Sequence, residues 1–506
     1  MSGCPMSRRR MLGMAGATAA GAMLSAPKGA LAAFGGYDVP EINTAVRPDR
    51  FGRLFDIEPF AQATPKVLAA LKSLGAPGGI MDAGDDLAAG PLGLIVNPGA
   101  NRDNPTHTAG MTFIGQFLDH DLTLDATSPL GVETDPGRTA NGRSPALDLD
   151  SVYGSGPFGD PILYEADRMR LRMGARGAYE DVPRLPDGTP LMGDARNDEN
   201  VAVNGIHAAF ICFHNKLLET GVARDFKTAR RLVQWHWQWI IVNEFLPLTI
   251  GADETNELLG TRNLFKKFPD PFIPVEFQGA SYRFGHSQVR PSYRVNFTGG
   301  PDGGQKFAFV FDATQIEAAD PTDMQGGMPG AGRHIGWPTF FRFDDATRAA
   351  FTRNNKTIDT KLSSPLFHLP PKTVRGPEDV LALAQRNLLR HITWAIPSGQ
   401  KIAKKVNAPV LSTDQLADLG AIHKDFPKST PLWFYTLREA DVFNNGTRLG
   451  PVGGLLVGGV IVGLLQRDPN SYLNAADRGW KPSLGAVPGR FNMVDLLDYA
   501  GVGGIR

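Results

Sequence analysis

TFIGQFLDHDLTLD, residues 112–125, is the stretch from which the rest of the chain can be read. It carries an apolar stripe of Phe113, Phe117 and Leu124, and among these sit Gln116, Asp119, His120 and Asp121. A histidine between two aspartates is costly to bury unless each group finds a partner. At helical spacing Gln116, Asp119 and His120 stand at i, i+3 and i+4, so they share one face. Asp121 lies about 100° further round the helix and points elsewhere. One helix thus offers an amide, a carboxylate and an imidazole to one site, and a second carboxylate to another. The alternative is a partly exposed helix start, and the remaining motifs decide between the two.

Working outward, residues 143–156 read RSPALDLDSVYGSG. Asp148 and Asp150 alternate with Leu147 and Leu149, which sets two carboxylates on one side of an extended or looped segment beside Ser144. Clustered oxygen ligands suit a hard cation such as calcium. Two aspartates alone are usually just solvated, so the pattern gains weight only if Asp121 adds a third carboxylate. Residues 193–219, GDARNDENVAVNGIHAAFICFHNKLLE, form a polar lead-in to a long helix. Arg196 and Glu199 share a face there, and Val203, Ile206, Phe210, Phe213 and Leu217 make the core stripe. A helical pattern over residues 229–245 carries Trp235, Trp237 and Trp239 as packing residues. In SYRFGHSQVRPSYRV, residues 281–295, His286 follows Phe-Gly and is flanked by Arg283 and Arg290. A lone histidine of this kind is more often structural than a ligand. Residues 381–406 are largely helical, interrupted near Pro397, with Asn387 inside an apolar stripe and Arg390 at i+3. Further helices are expected over residues 65–74 and 431–441, and the apolar run 453–465 is too short to span a bilayer.

The chain has 506 residues, with 52 basic and 52 acidic side chains, which excludes a strong bias toward nucleic acid or another polyanion. Its 58 glycines and 39 prolines favour helices joined by long irregular loops. Residues 7–12, SRRRML, a glycine- and alanine-rich run to Leu24, and Ala30-Leu31-Ala32 read in order as a twin-arginine signal peptide over residues 1–33, cleaved near Ala32 or Ala33. The expected product is residues 34–506, one domain moved folded by the twin-arginine export machinery to a periplasmic or secreted location. Only Cys4 and Cys212 are present, so the mature chain has no internal disulfide, and Cys212 reads as a buried, inert thiol.

GQFLDHD, LDLDSVYGSGP, GDARNDEN, YRFGHS and RNLLR…PSG occur here in one order, and together they resemble the animal-type haem peroxidases of the peroxidase–cyclooxygenase superfamily. The overlap runs over residues 105–409, and TPLWFYTLREAD…LGPVGG is similar to the bacterial branch. The resemblance implies a mainly α fold: a single large helical domain with long loops and little β-structure, holding haem b between core helices.

By that resemblance His120 is the distal base that moves the peroxide proton. Arg196 is the distal cation that stabilises O–O charge separation, and Gln116 is the amide that orients water or halide. His286 resembles the proximal iron ligand, with Asn387 bonded to its other ring nitrogen. Arg283 and Arg390 match propionate partners. Asp121, Ser144, Ala146, Asp148 and Asp150 match the calcium site, while Asp119 and Glu199 match the carboxylates that form haem esters. Asn200 stands where some members carry a methionine bonded to haem. That favours iodide, bromide, thiocyanate or phenolic donors over chloride, with hydrogen peroxide as the oxidant. Two other functions stay open. A fatty-acid dioxygenase would carry a tyrosine three residues before the proximal histidine; Arg283 stands there, and Tyr282 is one residue further back. A haem-containing adhesion or matrix protein would not need the pairing of His120 with Arg196.

Overall fold

The computed structural model describes residues 49–174, 180–260, 264–300, 302–315, 318, 321–327, 333–371, 380–475 and 479–505; the expected signal segment, its cleavage point and Cys4 lie outside these. The framework is helical: α1 (Pro65–Leu74), α2 (Ala109–Leu122), α3 (Val201–Glu219), α4 (Phe226–Ile240), α5 (Leu383–Thr393), α6 (Gly399–Lys405), α7 (Leu432–Asn444) and α8 (Pro451–Arg467). Among the described residues the sheets are two-stranded ribbons that pair 51–52 with 273–274, 103–108 with 354–356, and 292–296 with 306–309, beside a few isolated bridges. Mainly α with long loops and little β-structure is therefore the architecture. No helix among the described residues is long and apolar enough to cross a membrane.

Local chemistry sets several of the helix starts. Thr64 caps α1 by accepting from the Val67 N–H, with Pro65 in the first turn. Asn200 caps α3 by accepting from the Ala202 and Val203 N–H groups. The expected helix over 112–125 is shifted: α2 begins at Ala109 and ends at Leu122. Its first N–H groups are satisfied from far along the chain, Ala109 by the Arg353 carbonyl and Gly110 by the Phe340 carbonyl. At the other end Asn141 accepts from the Leu124 N–H and donates to the Leu122 carbonyl, which draws the chain out of the helix. The helix expected over 229–245 also differs. It opens into a π-helical turn, Ile241–Phe245, and resumes over Leu246–Ile250. Pro247 has no N–H for the carbonyl four residues back and its ring crowds that turn, so a widened turn accommodates it.

α2, α3 and α4 meet at an aromatic joint. Phe117 stacks on Phe210 with centroids 5.2 Å apart, and both rings lie nearly perpendicular to Trp237. Each such pair contributes about 0.5–1.5 kcal/mol beyond area burial. On the opposite side α7 braces the segment that carries His286. Trp433 Nε1 donates to the Arg283 carbonyl at 3.1 Å, and its N–H donates to His391 Nε2 at 3.0 Å. Glu439 of α7 accepts from the Val452 and Gly453 N–H groups and so caps the buried, glycine-rich α8. Cys212 on α3 is half-buried rather than fully enclosed.

Gly110 brings the first turn of α2 against the buried ring of Phe341, and a Cβ there would overlap the ring. Gly110→Ala should therefore destabilise the fold by about 1–3 kcal/mol through overpacking. A Cβ at Gly115 would meet the Phe245 ring at 3.5 Å, ordinary contact, so Gly115→Ala should be tolerated. Urea unfolding of both variants checks this, and equal midpoints would contradict the packing described.

Candidate active site

α2, the turn ahead of α3, residues 278–289 and α5 enclose one cavity. Gln116, Asp119, His120, Arg196, Glu199, Arg283, His286 and Arg390 all line it, although they come from four separate parts of the sequence. Every residue expected at the haem faces this space except Asn387, which stands directly behind His286.

His120 Nδ1 lies 2.8 Å from Asn197 Oδ1, and Asn197 Nδ2 lies 3.0 Å from His207 Nδ1. Burial lowers the His120 pKa to about 3, with the Arg196 charge acting in the same sense and Asp194 and Asn197 opposing it. The ring is thus neutral at physiological pH and holds one basic nitrogen. Arg196 is anchored at several points. Nε lies 3.1 Å from Asp194 Oδ1, and Nη2 lies 2.7 Å from Asp194 Oδ2. Nη2 also donates to the Thr123 carbonyl at 2.5 Å and the His120 carbonyl at 3.2 Å, while Nη1 is 3.9 Å from Asp119 Oδ2. Burial works against both ions. Arg196 and Arg143 nevertheless hold the Asp194 pKa far below the carboxylate range, and Asp194 in turn raises that of Arg196.

Gln116 is pinned by the turn that starts α3. Its Nε2 donates to Glu199 at 3.4 Å and its Oε1 accepts from Asn200 Nδ2 at 3.1 Å. Asn200, the departure from the methionine-bearing pattern, therefore has two duties: it caps α3 and holds the distal amide. Asp119 accepts from Thr123 Oγ1 at 3.1 Å; burial raises its pKa, while Arg196 and Arg283 act in the opposite sense.

On the facing wall His286 sits in a short helix, Gly285–Gln288, with burial and then Arg283 lowering its pKa to about 3. Its Nδ1 is 2.7 Å from Asn387 Nδ2, while Asn387 Oδ1 accepts from Arg283 Nη1 at 3.0 Å. The expected His286–Asn387 contact is present, but the amide nitrogen, not the carbonyl, faces the ring. Arg283 sets that direction because a guanidinium can only donate. Burial, reinforced by Arg390, lowers the Arg283 pKa to about 10. Arg390 pairs with Asp125 Oδ2 at 2.6 Å and donates to Ser128. Arg386, which the sequence did not single out, lines the same rim. Arg290 lies outside the cavity wall, bonded to Asp103 and to the Asn354 carbonyl.

Behind α2, oxygens of Asp121, Asp148 and Asp150 come within 4.8 Å of one another. Asp121 Oδ2 accepts from Trp237 Nε1 at 3.2 Å, whereas Asp121 Oδ1 and Asp150 Oδ1 have no hydrogen-bond partner among the described residues, Asp150 Oδ1 having only the Arg143 ion pair. Burial and mutual repulsion push Asp121 well above its usual pKa, and burial takes Asp150 to about 7 even with Arg143 beside it. Residues 143–150 form a loop rather than an extended strand, turned at Leu149 (φ 56°) and tied by Ser144 Oγ to Asp148 Oδ2 at 3.0 Å. Ser144 and Ala146 belong to this loop. Arg143 then links the carboxylates to the distal wall, 3.4 Å from Asp150 and 2.6 Å from Asp194. Arg143, Asp194, Asn197 and His207 were missed in the sequence. The available hint was that Asp194 precedes a short turn, where it accepts from the Arg196 N–H as a cap.

Residues 125–317 match the family model for animal haem peroxidase. Heme peroxidase 2 of Caenorhabditis elegans is 32% identical over 205 residues, 36% of this chain and 28% of that protein. Thyroid peroxidase of Rattus norvegicus is 26% identical over 186 residues, 31% of this chain and 20% of that protein. The matched stretch is thus under a third of either relative's length. In fold, the chain resembles Peroxidase A from Dictyostelium discoideum (TM-score 0.57, 15% identity, 91% of this chain and 94% of that one). It also resembles the fatty acid alpha-dioxygenase of Oryza sativa (TM-score 0.54, 14% identity, 83% and 75%). Sequence match and fold agree in direction: residues 125–317 are similar to animal haem peroxidases, and the chain's fold is similar to that of Peroxidase A.

Proposed function

We propose that this protein is a haem-dependent peroxidase that reduces hydrogen peroxide and oxidises small donors. One cavity carries the reading, because it sets a neutral His120 beside the charged Arg196 on one wall and His286 on another. The lining fits haem b. An imidazole is available as ligand, and Arg283, Arg386 and Arg390 stand on the rim for propionates. Gln278 Oε1 and Gln288 Nε2, on residues of the same wall, are buried with no hydrogen-bond partner among the described residues. When bound between these walls, haem supplies the iron that the His286 nitrogen ligates and the electrons that cleave the O–O bond.

The chain's own groups do the rest. His120 Nε2 takes the proton of the incoming peroxide and returns it to the departing oxygen, which leaves as water. Arg196, already fixed by Asp194 and two backbone carbonyls, stabilises the separating charge without rearranging. Gln116 orients water or halide from its bonds to Glu199 and Asn200. To ligate through Nε2, His286 must carry its proton on Nδ1, so Asn387 must turn its carbonyl toward the ring. With a propionate as its partner Arg283 would release Asn387 Oδ1, and the amide would then be able to turn.

Asp119 and Glu199 are the proposed ester residues, and Asp121, Asp148 and Asp150, with Ser144 and Ala146, the proposed calcium ligands. Asn200 cannot form a sulfonium link, so iodide, bromide, thiocyanate and phenols are the proposed donors rather than chloride. Tyr282 is stacked on Phe277 and donates to the Gly115 carbonyl, and Arg283 stands where a dioxygenase would need its tyrosine; peroxidase is preferred. The buried side chains from Phe51 to Val502 join one core cluster, which supports a single catalytic unit. Export through the twin-arginine route to the periplasm or the medium completes the proposal.

His120→Ala should slow the reaction with peroxide by about 100–10,000-fold and leave the haem Soret band in place; stopped-flow spectroscopy decides, and an unchanged rate rejects the mechanism. Removing calcium with a chelator should lower the melting temperature and slow peroxide reduction together, because the ion braces the helix that bears His120. Full activity in a calcium-free preparation would sink that coupling. After peroxide turnover, acid–acetone should leave haem on the wild-type chain and release it from the Asp119→Ala/Glu199→Ala double variant. Complete release from wild type rules the esters out.

A further inference from the structure

A base that takes a proton through Nε2 must hold its own proton on Nδ1, and the cavity alone does not ensure this. An imidazole facing water through Nε2 and an apolar interior through Nδ1 would place its proton on the wet side. His120 has a buried polar partner at Nδ1, Asn197 Oδ1 at 2.8 Å, on a residue with no exposed surface. The amide is itself held at its other end, where Nδ2 donates to His207 Nδ1 at 3.0 Å. His207 is 1% exposed and its ring meets Phe117 edge to face, with Phe117 one turn before His120 on the same helix.

We infer that Asn197 is the positioning residue that fixes His120 as its Nδ1–H tautomer, with His207 fixing the direction of the Asn197 amide; the inference rests on the reading of His120 as the base. A turned amide would donate to Nδ1 and force the His120 proton onto Nε2, toward the field of Arg196. The Arg196 charge favours a lone pair there over an N–H dipole, so the electrostatics of the distal wall select the orientation seen. Only an amide meets both neighbours without adding charge. A carboxylate would accept from His120 but could not donate to His207, and it would add a second anion near Asp194. A leucine of similar volume would satisfy neither ring. The neighbours of His120 are Arg196, Asp194 and Asn197 on the turn ahead of α3, Arg143 on the calcium loop, and Gln116, Asp119 and Asp121 on its own helix. Among these, Asn197 is the side chain bonded to Nδ1.

The test uses haem-loaded protein. Stopped flow gives the second-order rate constant with hydrogen peroxide and, separately, the reduction step with a phenolic donor. Histidine 15N NMR of the diamagnetic ferrous–carbon monoxide form reports which His120 nitrogen carries the proton. Asn197→Leu should slow the peroxide step about 10–100-fold with the donor step unchanged, and should move the His120 proton to Nε2. Asn197→Asp, which keeps an acceptor toward Nδ1, should retain the peroxide rate within about threefold. Two results overturn the inference: an Asn197→Leu variant as fast as wild type, or a wild-type His120 already protonated on Nε2. If the leucine variant fails to fold, the wild-type NMR and the aspartate variant still decide. His120→Ala serves as the separate control. If it is slow while Asn197→Leu is normal, only the role of Asn197 falls; if it is as fast as wild type, the reading of His120 as base falls first.

Discussion

The buried Asp194 carboxylate is the constraint on which the His120 and Arg196 wall of the cavity depends. Between Arg143 and Arg196 it faces two cations at hydrogen-bonding distance, 2.6 and 2.7 Å away. An ion taken out of water costs several kcal/mol even after relaxation, and only close, well-oriented partners offset this. Asp194 meets that condition by also accepting from the Arg196 backbone N–H, so one carboxylate caps the local turn and holds the guanidinium. Arg143 extends the pairing to Asp150 and hence to the carboxylates behind α2. Alternating charges thus run from the proposed cation site to Arg196, and a change at one end alters the field at the other.

α2 divides its polar residues by helical angle and receives support on each side. Gln116, Asp119 and His120 face the cavity; Asp121 faces Trp237 and the aspartates Asp148 and Asp150. The aromatic joint of Phe117, Phe210 and Trp237 fixes the rotation of the helix about its axis. A helix rolled by half a turn would bury carboxylates in that joint and expose phenylalanine to the cavity, so packing and polar chemistry select the same orientation.

The proximal wall is less settled toward its proposed cofactor. Arg283 bonds Asn387 and Arg390 bonds Asp125, so both rim arginines have protein partners that a propionate would replace. These substitutions exchange one charge-assisted bond for another, which keeps the arginines satisfied in either arrangement. The direction of the Asn387 amide follows Arg283, and with it the tautomer of His286. The proton position on His286 is therefore coupled to the rim of the cavity through a single side chain.

The sequence by itself determined which polar residues share a face. Helical spacing put Gln116 beside Asp119 and His120 and turned Asp121 away, alternation marked Asp148 and Asp150, and the ordered motifs marked Arg196, Glu199, His286, Asn387 and Arg390. The spacing readings need only geometry that acts within a few residues, whereas the motif readings rest on the resemblance to a family. Tertiary structure decided the rest, because partners far apart in the chain set it. α2 runs from Ala109 to Leu122 because Arg353, Phe340 and Asn141 satisfy its ends. Asp194 becomes a hub only when Arg143, 51 residues earlier, folds against it. Asn197 reaches His120 across 77 residues, and the Asn387 amide takes its direction from Arg283 across 104. Side-chain periodicity is local and survives in sequence; ion pairing and amide orientation depend on which distant groups arrive, and only the folded chain supplies them.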